Sequence, residues 1–600
     1  MGKIERVVEN IYMIPPGAFL RNRVYVYQNV SNKYVTPNEK KGEKKGTRGY
    51  TDHESVCIGV VTDLMNPKEC DQFYANEYYR KEVLNQELPE PPKYADSMSV
   101  GLSEWVAEVV EQSGLIEDLT EAFGKEETCM ILDLAHYMLS KESAVMQHFP
   151  AWARDHVILS DDICSDTDIG IFLRDVLTIS KINHFKEKWF IRNIGEGLVF
   201  LCYDSTNVNC QARGVSIVQK GHAKDDATLD QVNTDYVVRQ SDGLPLTMLH
   251  SPGSVNDIAQ AQEMIDFIDR MKEQSGVDVH ICLICDRGYI SEKNLKLLDK
   301  AGLEYILMLR TNFNLHMELA DETIGGIRSY KNKIDTEDNS EIYGVTKERI
   351  LYEGGPTCYA QVIWSAERYS YGRLEVEKRI QTEREKLEAF ITASSGKSLP
   401  EEELKWIPSY FVLRTEPGEP KIEIKKKRGR GGGTIEVEKP TLKILAYEDD
   451  EAGINNEYMK SGIFVLITRK KMTAQETLDA YSKRDCVEKV FEALKSHLGM
   501  DKIGVTTEEA MHGKGLVWFI ASIFHAILFN GTKKLRITNR KYYTVPAIVD
   551  SLEAIKADKD VKTNKYKRRY KVTARQGKVL NCWGITENKI DERIDMIQCA

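Results

Sequence analysis

The chain has 600 residues, a formal net charge of -10 at pH 7 and an isoelectric point near 5.8. So long a chain exceeds what one hydrophobic core organises, which excludes a single small domain and calls for several domains or one with a large insertion. The acidic balance excludes a uniformly basic nucleic-acid coat, and twelve cysteines without a paired framework exclude a disulfide scaffold.

Charge is uneven along the chain. Residues 1–50 carry ten Lys and Arg against four Glu, and residues 531–575 carry fourteen against four acids. Both are candidate phosphate-contacting surfaces, or plain solubilising segments. Residues 1–100 read as a β-rich region and a candidate for DNA contact, with strand-like runs at 23–28 (RVYVYQ) and 56–61 (VCIGVV). Between them the loop at 38–48 (NEKKGEKKGTR) is either an arm on DNA or a mobile loop. From 101 to 195 apolar residues recur at three- and four-residue steps, which predicts a helical region, and no clean helix-turn-helix signature stands in it.

At Gly197 the pattern switches to strand. The run at 198–203 (LVFLCY) ends in Asp204, and strands are predicted at 234–239 and 244–250. A helix over about 255–274 leads to the buried strand 278–285 (DVHICLIC), which ends in Asp286-Arg287-Gly288-Tyr289. A helix near 291–301 and a strand at 305–310 complete the unit. Three strands followed by alternating helix and strand is a mixed α/β order, the order of a ribonuclease-H-like core. The one C-x-x-C, Cys282 to Cys285, has no second pair at zinc spacing, so buried reduced thiols are expected.

Residues 311–461 mix strand runs with a charged helix-prone stretch at 373–393, so a β-rich insertion is expected to interrupt the core. It holds the basic glycine-rich run 423–433 (EIKKKRGRGGG), whose Arg428 and Arg430 are candidates to enter a minor groove, or form a hairpin tip. The core is expected to resume over 462–530, followed by a basic C-terminal region, 531–600.

A single amphipathic helix is predicted over 473–498 (TAQETLDAYSKRDCVEKVFEALKSHL). At 100° per residue Tyr481, Arg484, Glu488 and Lys495 fall within a stripe about 60° wide, beside an apolar face of Val487, Val490, Phe491, Leu494 and Leu498. Such a helix packs on a core while presenting a carboxylate flanked by two cations and a phenol, groups suited to metal-bound phosphate. The plain alternative is a solvated charged face. The most apolar run, 516–529 (LVWFIASIFHAILF), is too short for a bilayer and contains His525, so it reads as a buried helix. With no signal-type apolar stretch at the N-terminus, a reducing cytoplasm and no membrane are expected.

Asp204 and Asp286 at strand ends, taken with Glu488, make a set of hard oxygen donors. Two or three carboxylates plus substrate phosphate suit Mg²⁺, with Mn²⁺ as a substitute, and a two-metal site supports in-line phosphodiester displacement. The Y-x2-R-x3-E-x6-K spacing of Tyr481, Arg484, Glu488 and Lys495 resembles the YREK motif of bacterial DDE transposases of the insertion-sequence-four group. Tyr203-Asp204-Ser205-Thr206 is similar to the family's first-Asp strand, and Asp286 to Tyr289 to its second-Asp turn. Gly221-His222-Ala223-Lys224-Asp225 is similar to its G-H-S-K-D loop, with Ala223 in place of Ser.

The resemblance implies a metal-binding triad of Asp204, Asp286 and Glu488, with Tyr481, Arg484 and Lys495 on DNA. It also implies double-stranded DNA partners, namely transposon-end inverted repeats and target DNA, and a homodimer in the synaptic complex. The alternatives are a ribonuclease-H-like nuclease without strand transfer and an inactive DNA-binding transposition regulator. Clustered acids argue against the latter, since binding phosphate does not require them.

Overall fold

Apolar runs that do not alternate demand a sheet covered on both faces, and several such strands lie within the eight-stranded sheet at the centre of the structure. This computed structural model describes all residues except 1–5, 9–10, 23, 36–49, 77, 85–93, 211, 213, 222–228, 256, 337–339, 427–433 and 598–600. Two units separate by contact, residues 1–95 with 560–563 and residues 96–559 with 564–600. The first is a six-stranded antiparallel sheet around Tyr12, Val26, Ile58, Phe73 and Tyr79.

The large sheet of the second unit uses β1 (Gly197–Asn209), β2 (Gln231–Arg239), β3 (Leu244–Pro252), β4 (Val279–Cys285), β5 (Glu304–Met308), β6 (Ile342–Ile350), β7 (Thr357–Ser365) and β8 (Ile463–Thr468). Their spatial order is β3-β2-β1-β4-β5-β8-β7-β6. β1, β2 and β3 form an antiparallel meander, while β4 pairs parallel with both β1 and β5. β5, β8, β7 and β6 then pair antiparallel. Parallel neighbours require crossovers, and helices at Asp257–Ser275 and Glu292–Lys300 supply them. β6 and β7 come from the segment expected as an insertion, yet they extend the central sheet. The rest of that segment makes the 28-residue helix Ala366–Ala393 and a small sheet, closed over Ile380, Leu387, Tyr410 and Phe411. Arg428 and Arg430, together with residues 222–225 of the G-H-A-K-D loop, lie outside the described residues.

The helical region predicted for 101–195 forms α1 (Gly101–Gln112), α2 (Leu115–Phe123), α3 (Lys125–Lys141) and α4 (Ile179–Asn193), with shorter turns between α3 and α4. It shares one core with the sheet: Trp189 of α4 donates to the Pro245 carbonyl on β3 at 2.9 Å. The apolar run 516–529 lies inside a 24-residue helix, Glu508–Gly531, which is long and apolar enough to cross a membrane. Its most apolar window is 78% buried inside the fold, and Trp105 of α1 packs on its Phe524 at 6.2 Å. It is the core helix that packs α1–α4 against the sheet.

The single helix expected over 473–498 is two. Ala474–Ser482 starts with a capping box between Thr473 and Glu476, and Asp485–His497 begins after Arg484 as its N-cap. The break has a packing cause. The first piece lies on β6 and β7 and the second on β1 and β2, and one straight rod cannot follow a twisted sheet across both.

In the C-terminal region two arginines of the basic run face acids of the same unit. Arg568 contacts Glu587 at 2.7 Å and Asp591 at 3.4 Å, and Arg569 contacts Asp558 at 2.7 Å.

Candidate active site

β1 and β4 run side by side with Tyr203 opposite Cys285, so one residue further on Asp286 comes level with Asp204. Asp204 was expected to end its strand, but β1 continues to Asn209 because β2 pairs with it as far as Gln231. β4 stops at Cys285, so beyond that point β1 has a strand on one flank only. Both acids stand beside the other flank, where β4 has ended. Side chains of paired residues share a face, and Tyr236, the partner of Asp204, packs edge-on against Phe491 of the Asp485–His497 helix at 5.8 Å. Asp204 therefore faces that helix.

Arg484, the N-cap of that helix, joins the pieces. Its Nη1 donates to Asp204 Oδ2 at 3.1 Å and its Nη2 to Glu488 Oε1 at 2.5 Å. The Arg484 and Asp204 side chains are only 14% and 19% exposed, whereas Glu488 is 56% exposed. Asp204 Oδ1 also accepts from the Ser205 N–H at 2.9 Å and, more weakly, from the Tyr289 hydroxyl at 3.4 Å. The Arg484 guanidinium lies 5.8 Å from the Tyr481 ring. Burial works against the Arg484 charge, but Tyr481, Asp204, Asp286 and Glu488 outweigh it and leave its pKa above the ordinary arginine value. Burial likewise pushes the Tyr481 hydroxyl up, so it is a neutral donor at physiological pH.

Lys495 stands on the same helix as Glu488, two turns on and about 10 Å along the axis. The two thiols expected to be buried, Cys282 and Cys285, are so and form no disulfide, and Cys202 is buried as well. The Cys202 thiol hydrogen-bonds to Cys486, which with burial drives its pKa up, and burial does the same for Cys282 and Cys285, so these thiols are inert.

Two arginines escaped the sequence reading. Arg310, just past β5, donates from Nε to the Arg287 carbonyl at 3.0 Å and from Nη2 to the Gly288 carbonyl at 3.0 Å. It thereby fixes the turn that carries Asp286. Its signal was a lone charge closing a strand predicted to follow the Asp286 strand. Arg368, in the first turn of the Ala366–Ala393 helix, lies 4.2 Å from the centre of the Phe464 ring. The residue is exposed, yet enough protein surrounds its head group for burial to lower its pKa. Tyr481, Arg287 and Asp286 are close enough to act on its charge.

Among the described residues no group of three or more His, Cys, Asp or Glu is close enough to hold a metal ion. The donor chemistry nonetheless fits a hard divalent cation. All three acids offer carboxylate oxygens, and a positive charge already sits between two of them in the form of the Arg484 fork.

No curated protein matches the sequence. Among solved structures, a cryo-EM structure of the piggyBac transposase synaptic complex with hairpin DNA is 10% identical, with 84% of this chain and 80% of that chain covered. Its TM-score of 0.30 is too low for an argument about fold. Residues 195–524, more than half of the chain and the stretch that contains Asp204, Asp286, Arg484 and Glu488, match the family described as the transposase DDE domain, and the chain belongs to that family.

Proposed function

We propose that the protein is a cut-and-paste transposase of the insertion-sequence-four type, with Tyr481, Arg484, Glu488 and Lys495 as its YREK motif. It binds the terminal inverted repeats of its element, cleaves there, and uses the freed 3′-hydroxyl to attack target DNA. The observation that carries this reading is the convergence of Asp204, level with Asp286 on neighbouring strands, and Glu488 on one guanidinium. The strand order 3-2-1-4-5 in the first part of the sheet supports a ribonuclease-H-like core.

Asp204, Asp286 and Glu488 would hold Mg²⁺ or Mn²⁺, which supplies activation of the attacking hydroxyl and charge neutralisation at the leaving oxygen. The chain's own groups do the rest. Arg484 presents a planar fork suited to phosphate oxygens, and neutral Tyr481 beside it donates to the same backbone. Lys495, two turns further, meets the strand as a point charge. A homodimer would hold two ends together. The N-terminal β-rich unit, the basic run 423–433 with Arg428 and Arg430, and the basic C-terminal region are proposed as further DNA contacts, in a cytoplasmic protein.

The test is a labelled duplex carrying the inverted repeat that flanks the gene, incubated with Mg²⁺ or with chelator. Metal-dependent nicking followed by joining of the 3′ end to a second duplex is expected. Nicking without joining would favour a simple nuclease, and binding without nicking a regulator.

Arg310→Ala should lower the cleavage rate roughly 10- to 100-fold, because a small misplacement of a catalytic group is that costly. End-DNA affinity and melting temperature should stay near wild type. Free guanidinium ion should restore part of the rate if Arg310 positions Asp286, and an unchanged rate would show that the turn holds itself.

A further inference from the structure

The sheet edge that carries Asp204 and Asp286 continues on their far side. Leu309, just past β5, donates its N–H to the Val465 carbonyl of β8 at 2.9 Å, and Trp364 near the end of β7 pairs with Ile463 at the start of β8. The ends of β4, β5 and β7 and the start of β8 thus share one rim. The Ala366–Ala393 helix springs from it, capped by Ser365, and sets Arg368 over Phe464.

Most arginines around this rim are spoken for. Arg484 bridges Asp204 and Glu488, Arg310 holds two carbonyls, and Arg328 contacts Glu341 at 3.0 Å. Arg368 and Arg287 differ. Among the described residues neither guanidinium makes an ion pair or hydrogen bond, and both side chains are exposed. Both stand on the rim that carries Asp286, Arg287 as the next residue in its turn and Arg368 over Phe464, and the repulsion Arg368 feels from Arg287 is offset by Asp286 and Glu367.

Two guanidinium groups on one rim, neither of them ion-paired, favour an anion with several acceptor oxygens, and the aromatic ring beneath Arg368 restrains one of them for that purpose. A cation needed only for solubility requires neither the ring nor the second arginine.

We propose that Arg368 and Arg287 form a phosphate subsite on the β5–β8 side of the catalytic acids, which binds a backbone phosphate next to the scissile one. This rests on the transposase reading. It gives the strand a direction: from Asp204 and Asp286 across Phe464 toward the start of the Ala366–Ala393 helix.

The test uses the full chain and measures binding of the labelled end duplex over a range of salt concentrations. Arg368→Gln should weaken binding roughly tenfold near physiological salt and reduce the slope of log affinity against log salt by about one, the signature of one lost phosphate contact. Arg368→Lys should keep the slope and lose only part of the affinity. Melting temperatures near wild type for both confirm that they fold. A scan of single methylphosphonates should find one position, beside the cut, that weakens wild type but not Arg368→Gln. If wild type binds and cuts the end while Arg368→Gln keeps its affinity and salt slope, the subsite is wrong and the transposase reading stands. A wild type that neither binds nor cuts overturns both.

Discussion

Glu488→Gln is expected to lower strand cleavage by roughly a thousandfold or more, about 4 kcal/mol of transition-state stabilisation, while end-DNA binding changes little. The geometry makes this a clean substitution. Glu488 is more than half exposed, so no cavity or buried unpaired group results. The amide oxygen of Gln can still accept from Arg484 Nη2, as the carboxylate does at 2.5 Å, so the helix start keeps its shape. What disappears is one negative charge and one hard anionic ligand, the property a divalent ion requires. Asp204→Asn would be harder to interpret, because Asp204 also accepts from Ser205 and Tyr289, and an amide nitrogen in place of Oδ1 would disturb both. The measurement is nicking of the labelled end duplex beside its binding isotherm. Cleavage within about tenfold of wild type would leave Glu488 as the exposed member of an i,i+4 ion pair, a contact of small energetic weight.

How far the sequence spoke depended on the range of each interaction. The strands and helices between 197 and 310 were legible because their apolar runs are short, continuous and separated by turn residues, and the structure places all but the end of β1 within a few residues. Arg484 and Glu488 were legible as neighbours, being four residues apart. The bond from Arg484 to Asp204 spans 280 residues and leaves no local trace. The same limit applies to Asp204, whose strand runs on only because β2 pairs with it, and to β7, whose apolar run reads as a strand but gave no hint of joining the central sheet, while most of β6 did not read as strand at all. The break at Lys483 and Arg484 was missed because helical periodicity survives a two-residue interruption: each half keeps its own apolar face, and only the sheet beneath tells them apart. Arg310 and Arg368 stayed hidden because their importance lies in what they touch across strands.

Stability is expected to fall steeply as the pH drops below 6.5, by roughly 3 kcal/mol per pH unit near pH 5. Three histidines drive the fall. His136 is buried against Trp152, at 4.8 Å between rings, and burial lowers its pKa to about 3 despite Glu553 at 3.9 Å. His250, whose Nδ1 lies 3.0 Å from the Thr234 hydroxyl, falls to about 3 through burial, with His512 and Lys186 beside it. His525, stacked on His497 at 5.9 Å, also falls to about 3, through burial and then His497 and Arg536. In each case the folded pKa lies below the unfolded value. Between 6.5 and 3 the unfolded chain therefore takes a proton that the fold refuses, and stability is lost as pH falls.

Asp133 works the other way. Burial raises it to about 6 although Ser160 and the Leu159 N–H bond to it, so the fold accepts a proton there first and offsets one histidine. The net difference is two protons, which sets the slope. Below pH 4.5 Glu553 adds to the loss, since burial opposes its charge but the His156 bond at 2.8 Å holds its pKa near 2, and the stability it contributes above 4.5 vanishes as pH falls toward that value. Against a total stability of about 5–15 kcal/mol the fold should not persist much below pH 4. Denaturant unfolding at pH 7, 6 and 5 measures the slope, and His136→Gln should flatten it by about one proton, roughly 1.4 kcal/mol per unit. A midpoint that stays constant from pH 7 to 5 would mean that these rings are protonated in place, and that the packing around Trp152 and Thr234 opens readily enough to admit water.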